Sequence, residues 1–392
     1  MRMKLTFFPI SVVTCKFAQL RFLVLTLCVL GVLCGEFFAQ VFKQTHPGVE
    51  HAQVEHKIGE DPVKINLLRL DLTKVYLHAK LGMDQIVGTE TTSSIAARHG
   101  AVAAINSGFF RLDNSIFAGT PAGVLKIGTF LSESNNGRTA LEILNSSHRT
   151  DVVIERVNMW SQINVEDELY DVGINRQRGE NDVVVYTNEF SRTTLTDSKG
   201  VEFIVMNGII RGVYDARGST IIPATGFVIS ASGTKRELFM KILRSGTAVF
   251  KTYKSSSAQD GPAVAGMNLA HNVIGGVPQL IKNGKIDITW EQEKASRAFV
   301  FNRHPRTAVA KMKNGKFLMI TVDGRQPGVS VGMTLPELAD YLLALGAVDA
   351  MNLDGGGSTT MVLDGTVVNK PSDPTGERKI GDAILVTLRG RK

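Results

Sequence analysis

Short apolar and β-branched runs, broken by Gly, Asn and Asp, make up most of this chain, and few stretches carry a helical period. In the first third the pattern predicts strands over Ile65–Leu72, Val75–Leu81 and Ala101–Ile105. In the middle it predicts strands over Asp151–Val157, Val183–Tyr186, Glu202–Met206, Ile209–Val213 and Gly226–Ser230. In the last third it predicts extended runs over Val273–Ile281, Thr307–Met312, Phe317–Val322 and Ala347–Leu353. Asn207-Gly208, Asn283-Gly284 and Asn314-Gly315 are hairpin turns, because both central positions of a tight β-turn favour residues that tolerate positive φ. Helices are expected at Ser93–His99 and Thr334–Leu345. In the second, Leu335, Leu338, Ala339, Leu342 and Leu343 form one apolar face, with Thr334 as N-cap, Pro336 in the first turn and Gly346 as the stop. The implied class is α+β, with β-rich mixed sheets and a few helices packed on one sheet.

The first 40 residues differ from the rest. Arg2, Lys4, Lys16 and Arg21 precede an uncharged apolar run from Phe22 to Gly35, whose length suits a signal-peptide core better than a full membrane span. Residues 1–39 are therefore expected to be a signal peptide or an uncleaved N-terminal membrane anchor. The charge asymmetry leaves the N-terminus cytoplasmic and carries the remainder across, so the body is exported to face outward. Residues 40–61 read as a polar linker. His51 and His56 fall in it as solvated linker histidines rather than metal ligands. Residues 62–392 are expected to form the folded body as one domain. All 3 cysteines (Cys15, Cys28, Cys34) lie in the leading segment, which excludes a disulfide framework, a thiolate metal site and a cysteine nucleophile from the body. The net charge of +7 is scattered among acids, which argues against nucleic acid and for a mild bias toward anionic substrates.

The chemistry concentrates near the C-terminus. Met351-Asn352-Leu353-Asp354 ends a buried strand with a carboxylate, and Gly355, Gly356 and Gly357 follow at once with Ser358, Thr359 and Thr360 behind them. Glycines let backbone amides approach an oxyanion without a Cβ between, and the hydroxyls add donors. A glycine-rich hairpin with Asp354 as a turn residue is the plainer alternative. Asn106 ends another strand, where its amide can meet a ligand or cap a turn. Arg306, fixed behind Pro305, is suited to a bidentate grip on phosphate, or to a surface ion pair. Asp323-Gly324-Arg325 sets a second carboxylate beside a second guanidinium, and Gly275-Gly276-Val277-Pro278 is another strand-end loop. Two carboxylates, arginines and amides together supply what cleavage of a glycosyl phosphodiester requires. Two acids in one cleft should also drive their pKa values apart.

These motifs, taken in order, resemble the phosphodiester glycosidase domain family: Asn106-Ser107-Gly108-Phe109-Phe110, Gly275-Gly276-Val277-Pro278, Arg303-His304-Pro305-Arg306-Thr307-Ala308, Asp323-Gly324-Arg325 and Asn352 to Met361. The resemblance spans roughly Val63 to Leu388. Ser107 and Val277 stand where the family more usually has glycine, and the cysteine-free body resembles the bacterial, exopolysaccharide-associated branch. It implies a phosphodiester glycosidase-like fold and hydrolysis of a sugar-1-phosphodiester in cell-envelope or extracellular polysaccharide metabolism. On that reading Asp354 and Asp323 are the catalytic pair. Arg306, Arg325, Gly355, Gly356, Gly357, Ser358 and Thr359 hold the phosphodiester, and Asn106 binds a sugar hydroxyl or orients a carboxylate. The partners are a glycosyl phosphodiester or polysaccharide and, if the N-terminal segment is uncleaved, a membrane. No cofactor is required, and a divalent metal at the two aspartates is compatible with the sequence without being demanded by any ligand spacing. The rival reading is a non-catalytic cell-envelope polysaccharide-binding or assembly protein. A nucleotide-dependent enzyme is disfavoured because no Gly-Lys-Ser/Thr follows the glycines.

Overall fold

The computed structural model describes residues 41–165, 167–243, 248–256 and 271–390, so the expected leader at 1–39 lies outside the described residues. Among these residues the chain builds three principal sheets. The first has eight strands in the order Lys43–His46, Val49–Ile58, Asp61–Leu70, Phe317–Val322, Arg306–Met312, Ala347–Asn352, Gln279–Lys282 and Lys285–Ile286. The second has eleven strands and contains the long hairpin of Ser134–Asn145 with Thr150–Val165, together with Asn272–Gly275. The third orders Thr366–Val367, Met361–Leu363, Ala103–Asn106, Asp382–Leu388 and Val75–Leu81. Pairing is antiparallel except where Glu168–Ile174 meets Val183–Thr187.

Neighbouring residues point to opposite faces of a strand, so a sheet covered on both sides needs continuous apolar runs. Asp61–Leu70 is such a strand. Leu68 and Leu70 join a core shared by all three sheets, with Leu77, Ile105, Leu141, Met351 and Ile384, while Ile65 and Leu67 face a second core. In that second core lie Leu335, Leu338, Ala339 and Leu342 of the helix Leu335–Ala344. Thr334 caps this helix as expected, and the structure adds a reciprocal capping box with Glu337.

Three expectations are corrected. The helices do not gather on one sheet. Thr92–Arg98 covers the five-stranded sheet through Ile95 and Ala96, and Thr234–Ile242 covers the eleven-stranded sheet through Phe239. Nor are residues 40–61 a linker, because Val49–Ile58 pairs along its length with Asp61–Leu70, from Val49 opposite Leu70 to Ile58 opposite Asp61. Its polar alternation belongs to a strand with one buried face. His51 meets Asn66 Oδ1 at 3.3 Å and the His56 ring lies 5.2 Å from that of Tyr341. The run from Val273 to Ile281 divides into two strands, Asn272–Gly275 and Gln279–Lys282, which belong to different sheets. Among the described residues no helix is long and apolar enough to cross a membrane.

Candidate active site

The three sheets meet at the end of strand Ala347–Asn352. A Cβ at Gly276 would lie 2.4 Å from the Asn352 carbonyl oxygen, so only glycine lets the eleven-stranded sheet approach this closely. Val277 N donates to Asn352 O at 3.1 Å, and Asn352 Nδ2 donates to Val277 O at 2.8 Å. From the five-stranded sheet, Ser107 O accepts the amide of Asp354 at 3.1 Å. Asn106 completes the clamp. Its Nδ2 donates to Asp354 O at 2.6 Å, and its Oδ1 accepts from Thr307 Oγ1 at 2.8 Å and from Thr360 N at 3.1 Å. Asn106 is wholly buried and its polar atoms are engaged, so it fixes the loop after Asp354 instead of meeting a sugar hydroxyl.

Asp354 therefore sits half-buried at a junction whose backbone is held from two sides. Burial pushes its carboxyl up to about 6, against stabilisation by the Ser358 hydroxyl, the Arg378 charge and the Gly355 amide, which donates to Oδ1 at 2.9 Å. A second acid lies nearby, and the sequence reading did not single it out. Asp382 begins the strand Asp382–Leu388 and is 4% exposed. Burial raises its carboxyl to about 7; the Ser107 hydroxyl and Gly108 amide oppose the rise, and the charge on Asp354 adds to it.

The glycines have steric reasons distinct from the expected amide cradle. Gly355 N is taken by Asp354 Oδ1, and Gly356 N by Pro305 O at 2.9 Å, so these two amides hold the loop's shape. Gly356 has φ of 61° and a Cβ there would come 3.1 Å from Arg325 Nη2. A Cβ at Gly357 would come 2.1 Å from both Arg378 Nη2 and Asp373 Oδ1. The loop is thus pressed between two guanidinium groups. Ser358 and Thr359 are buried, with Ser358 directed to Asp354 and Arg378.

The structure separates the other expected residues. Arg325 is exposed beside Gly356, its guanidinium open to solvent, with Nη2 3.5 Å from His304 Nδ1. Burial and the charges of Arg306 and Arg325 lower the pKa of His304, which favours its neutral form. Arg306 is not so placed. It is 1% exposed, its Nε donates to Met333 O, and its Nη2 donates to Phe299 O and Asn302 O, each at 2.8 Å. Its guanidinium caps the carbonyls at the end of helix Arg297–Phe301. Arg378, which the sequence reading left out, is oriented by Asp373 through contacts of 2.7 and 2.9 Å and carries the positive charge that acts on Asp354.

Asp323 does not pair with Asp354. It accepts from Asn369 Nδ2 and Lys370 N, each at 3.1 Å, and lines a separate cavity of about 340 Å³ with Gln53, Lys64 and Asn66. Burial raises its pKa, while Asn369, Lys64 and Lys370 lower it. Asn369 also donates to Thr359 O, so Asp323 braces the far side of the loop. Among the described residues no group of three or more His, Cys, Asp or Glu is arranged to hold a metal ion.

Residues 199–387 match the family described as phosphodiester glycosidase. This stretch contains four of the five motifs that carried the resemblance, the one at Asn106 lying outside it, and the likeness to that family is thereby shown. Over 154 residues the chain is 34% identical to N-acetylglucosamine-1-phosphodiester alpha-N-acetylglucosaminidase of Bos taurus, an alignment covering 37% of this chain and 28% of that protein. The chain thus spans little more than a quarter of that relative. The fold is also that of a hypothetical protein from Synechocystis, with TM-score 0.74, 23% identity, and coverage of 90% of this chain and 64% of the other. A Burkholderia pseudomallei protein described as a candidate exported protein gives TM-score 0.72 and 23% identity, covering 84% of this chain and 75% of its own.

Proposed function

We propose that this protein is a hydrolase that cleaves the bond between a sugar's anomeric carbon and a phosphodiester oxygen. The observation that carries the reading is Asp354, a half-buried carboxyl raised to about 6 at a rigid strand end, flanked by Arg378 and Arg325 across the triple-glycine loop. At neutral pH such a group is mostly ionised yet poorly solvated, which suits a base or nucleophile directed at an electron-poor carbon. The leaving group is a phosphate monoester, stable as an anion. Its departure needs cationic stabilisation more than a proton, and Arg325 and Arg378 supply it. The water oxygen bonds to the anomeric carbon and gives up a proton to Asp354. The old carbon–oxygen bond breaks and its electron pair leaves on the phosphate.

The family likeness and the name of the bovine relative support this reaction class. The basic and apolar N-terminal stretch and the exported Burkholderia neighbour support action outside the cytoplasm; cell-envelope or extracellular polysaccharide as the setting rests on the resemblance of the sequence motifs alone. The test is release of N-acetylglucosamine from N-acetylglucosamine 1-(methyl phosphate), compared with Asp354→Asn. Loss of roughly 10²–10⁴-fold in turnover with an unchanged fold is expected. Binding of the diester by wild type without release of sugar would favour the polysaccharide-binding alternative.

A further inference from the structure

We infer that Asp382 is a positioning residue that keeps a proton beside ionised Asp354, so that the cleft meets an anionic diester with one negative charge instead of two. The inference rests on the phosphodiester glycosidase reading for its purpose, though not for its geometry. Ser107 and Gly108 form one wall common to both acids. Ser107 O holds the amide of Asp354 at 3.1 Å, and Ser107 follows Asn106, which pairs with Ala383, the chain neighbour of Asp382. A Cβ at Gly108 would be 3.4 and 3.5 Å from the two Asp382 carboxyl oxygens, so the carboxyl is packed directly against that backbone.

Asp382 Oδ2 is buried without a hydrogen-bond partner, and so is the hydroxyl oxygen of Ser107, which lies near the carboxyl without closing a hydrogen bond to it. An oxygen so placed is poorly suited to carry charge, whereas a carboxylic acid is neutral and has a proton to donate. No cation faces it. On the adjoining strand Val75–Leu81, Asp382 pairs with Leu81, while Lys80 and His78 pair with Ala383 and Leu385 and share their opposite face. The charge acting on Asp382 is Asp354, and Arg378 acts on Asp354, so the outer acid ionises first and the inner one retains its proton. When a phosphodiester enters, Asp382 adds no repulsion of its own. Once Asp382 ionises, the second charge opposes the substrate.

The experiment is an infrared titration of carboxyl groups in full-length protein labelled at aspartate, for wild type, Asp354→Asn and Asp382→Asn, with binding of N-acetylglucosamine 1-(methyl phosphate) measured across the same pH range. Replacing Asp354 should lower the Asp382 midpoint by about one pH unit, because the neighbouring charge is gone. Wild type should lose affinity for the diester above neutrality, and Asp382→Asn should not. An Asp382 midpoint unmoved in Asp354→Asn would overturn the inference. If Asp354→Asn fails to fold, the count of steps decides: Asp382→Asn must lose a titration step present in wild type near neutrality, and retention of that step also overturns it. Absence of sugar release by wild type would refute the glycosidase reading while leaving the titration result intact.

Discussion

Replacing Asp382 with Asn isolates the cost of burying an acid next to another. The two side chains have nearly the same shape, but the amide has no proton to lose. The Asp382 carboxyl lies at about 7 in the folded protein against an ordinary value of 3.8. A group that holds its proton more tightly when folded gives its full stabilisation below about pH 4, and this is lost progressively as the pH climbs toward 7. Over that window wild type should lose about 1.4 kcal/mol of stability per pH unit from this residue, or roughly 2–4 kcal/mol in all once local relaxation is allowed for. The variant lacks this loss. Urea unfolding at half-unit steps from pH 4 to 8 should show the stability of Asp382→Asn rising relative to wild type up to about pH 7 and then levelling. Parallel pH profiles for the two proteins would refute the burial argument, and a variant that gained most at pH 4 would reverse its sign.

Arg306→Met should destabilise the fold by about 3 kcal/mol in urea unfolding, because three carbonyls lose their donor; a pure rise in KM at unchanged stability would instead return Arg306 to the substrate. Arg325→Ala should leave unfolding unchanged and raise KM for a glycosyl phosphodiester about tenfold, since the side chain is exposed and its worth is one charge-assisted contact. Gly357→Ala should cost roughly 1–3 kcal/mol and most of the activity by displacing the Arg378–Asp373 pair, measured by thermal unfolding and sugar release together.

Local signals were legible where local physics sets the structure. Val75–Leu81 and Phe317–Val322 emerge with the boundaries their apolar pattern and turn residues predict, and Thr334 caps its helix as expected. Asp354 at the end of an apolar strand, followed by three glycines, was visible for the same reason. Pairing across the molecule was not. Val49–Ile58 looked like a linker because its polar side faces out while its partner is a separate strand. Arg306 looked like an anion ligand, since nothing local reveals that three carbonyls converge on it. Asp382 lacked a motif of its own. Its one signal was a carboxylate opening the otherwise apolar strand Asp382–Leu388, a placement that is costly unless the charge is suppressed or used.

The clamp at Asn106 has a consequence for biogenesis. Its contacts reach Thr307, Asp354 and Thr360, and the strand bearing Asn106 pairs with Asp382–Leu388, the last strand of the described chain. An early segment thus waits for the final one. A nascent polypeptide that has already emerged through its triple glycine still lacks the inner acid and the strand that seals the wall behind it. Such long-range closure is slow compared with hairpin formation and comes late. On the proposed function, the wall behind the Asp354 carboxyl is therefore completed only when this late pairing forms.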